Sequence, residues 1–372
     1  MPAVADFTTP VTSAVSGQTV PAGSAQSVLA GGTATGGQVG GTQTIFNGGQ
    51  ARNVTVLSTG LQVVSSGGLA SGSEVQQGRV RVESGGVGSG LHIVGGVLDT
   101  AVGARTYNSV VDGGREDLSG ESYSAQVNAD SIQLLYPGGL AVSATVNSGG
   151  VQSVLSGART RQSIINAGGQ QQVLGDADST LVNGGEQTVG SGGIVFGTTV
   201  TNGGRQTVSS GGTAGNTLIT QGSQDVLAGG STGSTTLGAG ADQSVAGFAR
   251  TTDIQTGGRQ FILSGGVAEF TSVTGGTQLV SSGGEASNTT VSRGLQTVLG
   301  GGMVSSTTVA GGADQVVEGQ ATSTTIQGGR QFVQSGGIAS HNVLNGGSQT
   351  VSAGGLAVDN QITQGSQFVL SG

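Results

Sequence analysis

The sequence contains no cysteine, no tryptophan and no lysine, and only 4 prolines in 372 residues. Without cysteine there are no disulfides and no thiolate metal sites. Without lysine every basic residue is an arginine. Lys plus Arg total 12 against 20 acidic residues, a formal charge of -8, and such a surface repels phosphate backbones, so no nucleic-acid partner is expected. No apolar run approaches the roughly 20 residues that a membrane helix needs. The stretch Met1 to Pro10 has neither a basic start nor an apolar run, so no signal peptide is read there. Glycine is abundant at 76 residues, yet the scarcity of proline and the lack of a Gly-X-Y triplet exclude collagen. Val, Ile and Leu recur at regular places, which separates the chain from a disordered linker of similar composition.

What the chain has instead is a repeat. Taking Gln206 as the reference, the same place recurs at Gln224, Gln243, Gln260, Gln278, Gln296, Gln315, Gln331, Gln349 and Gln367. Backwards it recurs at Gln187, Gln171, Gln152 and Gln133, passes through Glu116, Leu98 and Val80, and returns at Gln62, Gln43 and Gln26. Gln26 and Gln367 lie 341 residues and nineteen steps apart, a mean period close to 18. A short fixed period of this kind is the mark of a stacked solenoid, in which no repeat buries a core alone.

Within each repeat, short runs of Val, Ile and Thr bounded by Gly-Gly or Ser-Gly read as strands and turns, and recurrent glycine disfavours helix. The predicted fold is all-β: a single-stranded parallel β-helix of about 20 turns, each about 18 residues long. In the Gln206 turn the inward positions are Val208, Ala214 and Ile219, with glycines serving corners that need positive φ. The repeated glutamine stands two residues before an apolar position and so points to the same side. It is expected to form an amide ladder that holds the register rather than a binding site. Residues 1–25, with Pro2, Pro10 and Pro21, read as an N-terminal cap, and residues 26–372 as one repeat domain that is expected to continue past Gly372.

Between about 97 and 139 the spacing blurs. All 3 tyrosines fall here, Tyr107, Tyr123 and Tyr136, with Asp112, Glu116, Asp117, Glu121, Arg105 and Arg115 around them. Irregular loops on a rigid scaffold often carry binding, so Tyr107, Tyr123, Tyr136, Asp112, Glu116 and Asp117 form a candidate glycan-contact patch. The same acids are the one place for a carboxylate pair of the kind that cleaves glycosidic bonds. Their setting suggests exposure, however, and no enzymatic activity is expected. The histidines, His92 and His341, lie too far apart to share a zinc site. No calcium-binding nonapeptide occurs, and no cofactor or metal is expected. Thr55, Thr145, Thr199, Thr236, Thr290, Thr308 and Thr325 precede an inward residue and should face outward. Phe261, Phe332 and Phe368, each next to a repeated glutamine, should do the same.

Three stretches carry a resemblance. Ser210-Gly211-Gly212-Thr213-Ala214-Gly215-Asn216-Thr217, the run from Ser282 to Val291, and Gly346-Gly347-Ser348-Gln349-Thr350-Val351 resemble the repeats of the adhesin involved in diffuse adherence and of related self-associating autotransporter passengers. The resemblance spans about residues 26 to 372. It implies a right-handed β-helix, secreted or displayed on the bacterial surface, that functions in adhesion, autoaggregation and biofilm formation. It also implies heptoses added to serines and threonines by a dedicated heptosyltransferase, with Ser209, Ser210, Ser281, Ser282 and Thr290 as candidate acceptors. The family's C-terminal translocator barrel has no counterpart here. The partners expected are other copies of the chain, cell-surface glycans or proteins, and a heptosyltransferase. The alternative reading is a β-helix that binds or cleaves a polysaccharide.

Overall fold

The structure, a computed structural model, describes residues 10–370, so the first part of the expected cap and the expected continuation past Gly372 lie outside the described residues. The chain forms two compact units, one comprising Met1–Leu181 with Gly185–Gln187 and the other Val182–Gly184 with Thr188–Gly372. Both are parallel β-solenoids of the predicted kind, and no helix occurs among the described residues.

Most turns carry three strands, and in a few, such as the one with Thr213–Ile219, two of them run together into one. In the second unit one turn consists of Arg259–Ile262, Val267–Glu269 and Ser272–Val273, and the next of Thr277–Val280, Glu285–Ser287 and Thr290–Val291. These define a first, second and third face. The pairing register is the one the sequence repeat dictates: Gln224 pairs with Gln243, Gln243 with Gln260 and Gln260 with Gln278. In the first unit Gln43 pairs with Gln62, Gln62 with Val80, Val80 with Leu98, Leu98 with Glu116 and Glu116 with Gln133. A slip of one residue would turn every apolar side chain outward, so the register is strongly specified.

Residues 97–139 correct the expectation of irregular loops. Val97–Thr100, Arg115–Leu118 and Ile132–Leu135 stack on the first face, and Arg105–Tyr107 stacks on Glu121–Tyr123 on the second. The spacing varies because the corner after Leu118 holds only Ser119 and Gly120, whereas the one after Thr100 holds four residues. Corner length absorbs the difference and the strands stay in place. At the other side of the unit, Ala14–Ser16 and Thr19–Val20 pair with Thr33–Thr35 and Gln38–Val39, so the repeat is already regular there.

The core has two apolar columns and a polar seam. In the second unit one cluster is built from first-face and second-face residues such as Val245, Ala249, Ile262 and Ala268. Another is built mainly from third-face residues such as Ile219, Leu237, Ile254 and Val273. Fully burying a Val or Ile contributes roughly 1.5–3 kcal/mol. Between the columns run the glutamines, all buried from Gln206 to Gln349. From Gln224 to Gln367 each Nε2 donates to the Oε1 of the turn before at 2.6–2.9 Å. The amide ladder is present as expected. A second buried row completes the seam: Thr217, Thr235, Thr252, Thr271, Thr289, Thr307 and Thr324 each donate a hydroxyl proton to a glutamine Oε1 at 3.3–3.4 Å. Sequence reasoning missed this row, although the signal was the same one that placed the glutamines. A residue two before an inward apolar position must itself point inward.

In the first unit the seam is broken where Val80 and Leu98 replace glutamine and Leu91 stands at the threonine position. There the two apolar columns merge into one cluster that runs to Val111. The break leaves traces: among the described residues Gln62 Oε1 and the Ser73 hydroxyl, both in the seam, are buried without a hydrogen-bond partner.

The corners also differ from expectation. The bend between the second and third faces needs a left-handed residue in every turn, yet glycine supplies it only at positions such as Gly72 and Gly90. Elsewhere the residue carries a side chain, among them Asn216, Ser234, Thr251, Phe270, Asn288 and His341, with φ between +50° and +57°. Asn and Ser suit this because their short polar side chains bond locally. Thr251 and Phe270 do not.

Candidate functional site

The six residues of the expected glycan-contact patch separate into distinct environments. Tyr107 and Tyr123 stand one turn apart on the second face, and their half-buried rings stack with centroids 5.1 Å apart and planes inclined by 13°. The stack is braced from the side. Tyr123 donates its hydroxyl to Glu121 Oε2 at 2.9 Å, and Arg105 Nε donates to the same oxygen at 2.9 Å. These two bonds hold the Glu121 carboxyl below the usual range, the tyrosine bond first and the arginine second. Tyr136 lies at the corner that follows the first-face strand Ile132–Leu135. Asp112 lies after the third-face strand Val110–Val111, with His92 Nε2 3.8 Å away.

Glu116 and Asp117 overturn the expectation of exposure. They are neighbours on one strand and so point to opposite sides. Glu116 points into the core and is 0% exposed, a member of the seam in the glutamine position. Gln133 Nε2 donates to its Oε2 at 2.8 Å, and Thr106 Oγ1 to its Oε1 at 3.2 Å. Burial raises the Glu116 pKa, opposed first by the Gln133 bond and then by the surrounding hydroxyls. Asp117 points outward but is buried beneath its neighbours, paired with Arg115 Nη2 at 2.6 Å. The acids therefore do not converge on a shared substrate position, and the pair proposed for bond cleavage is not assembled. Among the described residues no group of three or more His, Asp or Glu is placed to hold a metal.

The outward rows are where the sequence placed them, in part. Thr290, Thr308 and Thr325 stack in register on the third face, with Thr290 exposed and the others half-buried. Phe261 and Phe332 face outward, each with the guanidinium of Arg259 or Arg330 lying 5.6 Å from the ring centroid. Those arginines are also bidentate to Asp242 and Asp314 on the preceding turn. Phe368 is 55% exposed.

Of the candidate acceptor residues, Ser210, Ser282 and Thr290 are exposed and Ser209 and Ser281 are half-buried. Ser210 and Ser282 sit at the corner between first and second faces. A glycine of the following turn makes room for each: Gly229 over Ser210 and Gly301 over Ser282, where a Cβ would collide with the serine Oγ. The same arrangement recurs at Ser66, Ser84, Ser191 and Ser264, beneath Gly85, Gly103, Gly211 and Gly283. The result is a row of accessible hydroxyls on short, rigid corners. The Ser-Gly-Gly triplet is its signal in the sequence, and it extends the candidates well beyond Ser210 and Ser282.

No family model matches the chain, and no curated protein is significantly similar to it. Among solved structures it is similar to the TibC-catalyzed hyper-glycosylated fragment of TibA that spans residues 55–350 of that protein. The likeness has a TM-score of 0.59 and covers 69% of this chain and 92% of the TibA fragment. Sequence identity over the match is 38%, above the level at which only a common architecture would be shared, so this chain belongs to the same family as TibA.

Proposed function

We propose that the chain is a non-enzymatic adhesin repeat domain of the autotransporter-passenger type, secreted or displayed on a bacterial surface. Its serine and threonine hydroxyls serve as acceptors for a protein heptosyltransferase, and it acts in adhesion, autoaggregation or biofilm formation. The observation that carries this reading is the row of exposed corner serines, Ser210 and Ser282 among them, on a solenoid similar to one that TibC glycosylates. A rigid corner presents each hydroxyl at a fixed spacing of about 4.8 Å per turn, a surface that an enzyme can modify repeatedly without unfolding the substrate. Many weak contacts along such a surface give avidity without a single strong site.

Co-expression with TibC, followed by intact-mass measurement and peptide mapping, tests the acceptor assignment. The expected result is a ladder of added sugar masses, with Ser210→Ala and Ser282→Ala each removing occupancy at its own corner. A chain that leaves co-expression at its sequence mass would overturn it. Adherence of beads coated with the protein to cultured cells, and to one another, tests the adhesin role separately.

A further inference from the structure

The second face of the second unit carries a groove of about 360 Å³ that none of the residues discussed so far explains. Its floor is Ala286 and Val304, both nearly wholly buried. One wall is the column Val267, Glu285, Met303 and Gln320, and the other the column Glu269, Ser287, Ser305 and Thr322. The groove exists because Ser287, Ser305 and Thr322 are small. Elsewhere the same column holds Tyr107 or Tyr123, and such rings would fill it.

Three features define what it would hold. Its volume lies within the range of small-molecule sites. Along the first wall apolar side chains alternate with polar ones, so Val267 and Met303 offer a surface for C–H groups beside the hydrogen-bonding ends of Glu285 and Gln320. The facing wall offers a row of hydroxyls. Finally, among the described residues Glu269 and Glu285 form no ion pair, whereas Asp225, Asp242 and Asp314 in the same unit are each paired with an arginine. The nearest arginine in register, Arg250 beside Glu269, lies over the Phe270 ring at 5.1 Å. Two carboxylates without counter-charge repel an anion and present strong acceptors to hydroxyl donors.

We propose that this groove binds a non-anionic saccharide chain lying along the solenoid axis, its rings resting on Met303 and Val267 and its hydroxyls bonded to Glu285, Gln320 and the Ser287–Ser305–Thr322 row. The proposal rests on the adhesin reading and gives that surface its ligand class. The chemistry fits two sources, glycans of another cell and sugars carried by a second copy of this chain.

The test uses the whole chain produced without a glycosyltransferase. Chitotetraose, cellotetraose and mannotetraose are titrated by calorimetry and by saturation-transfer NMR, with sialyllactose as the anionic control and an oligoarginine peptide as the cationic one. The expected result is binding of at least one neutral oligosaccharide, with affinity reduced at least tenfold by Glu285→Gln and by Ser305→Tyr. Tyrosine already occupies that column at Tyr107 and Tyr123, so Ser305→Tyr is expected to fold. Ser89→Tyr, in the same column of the first unit, is the control and leaves binding unchanged. Binding of the peptide alone, binding that both groove variants leave intact, or no binding of any neutral probe overturns the proposal. A glycosylated copy of the chain used as titrant distinguishes self-carried sugar from foreign glycan. If coated beads still adhere with Ser305→Tyr, the groove assignment fails and the adhesin reading stands. If wild-type beads do not adhere while the saccharide binds, the adhesin reading fails and the groove assignment stands.

Discussion

At the scale of single residues, Glu116 is the clearest departure from the pattern of its own column. Its carboxyl is fully buried in a place built for an amide, and burial raises its pKa. The native state therefore binds a proton more tightly than the unfolded chain, whose carboxyl titrates near about 4.3. Stability contributed by the protonated group is complete below that pH and is lost as pH rises through the raised native value. Glu116→Gln restores the amide, and we expect it to stabilise the protein at neutral pH by about 1–3 kcal/mol and to remove this part of the pH dependence. Urea melts at acidic and at slightly alkaline pH check it; equal pH slopes in the two proteins would contradict the assignment. Thr251 offers a second case. A β-branched residue at φ +57° is strained, and Thr251→Asn is expected to gain about 1 kcal/mol, read as a rise in the thermal midpoint. Neither residue was legible in the sequence. The position of Glu116 in the glutamine column was visible, but its charge argued for solvent, and nothing local marks Thr251 as the residue at the bend.

At the scale of the strand and its column, the sequence was more informative. The alternation of polar and apolar residues placed Val208, Ala214 and Ile219 in the core, and they are there. The same alternation should have placed Thr217 inside. Its signal is weaker than that of the outward row, because the left-handed bend at Asn216 interrupts the alternation just before it. Gln260 shows what the seam contributes. It donates to Gln243 at 2.7 Å and accepts from Gln278 at 2.9 Å and from Thr271 at 3.3 Å. Gln260→Leu takes the acceptor from the Gln278 amide and the Thr271 hydroxyl and leaves Gln243 Oε1 with Thr252 alone, at an expected cost of about 2–4 kcal/mol. Adding Thr271→Leu copies the apolar arrangement at Val80 and Leu91 and is expected to recover part of the loss. A double-mutant cycle by chemical denaturation measures the coupling; strict additivity would show that the seam does not act as a unit. Gly301 tests the corner. Its φ of +81° and the Ser282 Oγ beside it leave no room for a side chain, so Gly301→Ala is expected to destabilise by more than about 1 kcal/mol.

At the scale of the molecule, the 18-residue period made the fold class legible, while the position of the proposed groove stayed hidden because it depends on which outward side chains are small. The formal charge of -8 without a single lysine makes copies of the chain repel one another at long range. Self-association in sedimentation is therefore expected to strengthen between about 0.01 M and about 0.15 M salt, as the screening length falls from about 30 Å to about 8 Å. Association that weakens with salt would point instead to charge-paired contacts. A further consequence comes from the amide ladder. Because each glutamine meets an identical partner above and below, a turn can be removed without changing the chemistry on either side of the cut. Excising Gln278–Leu295, eighteen residues, joins Thr277 to Gln296 and puts glutamine opposite glutamine again. Excising only Gln278–Ala286 brings Ser287 against a first-face strand and destroys the match. The heritable unit of such a chain is thus the whole turn, and related genes should differ in length by copies gained or dropped one turn at a time.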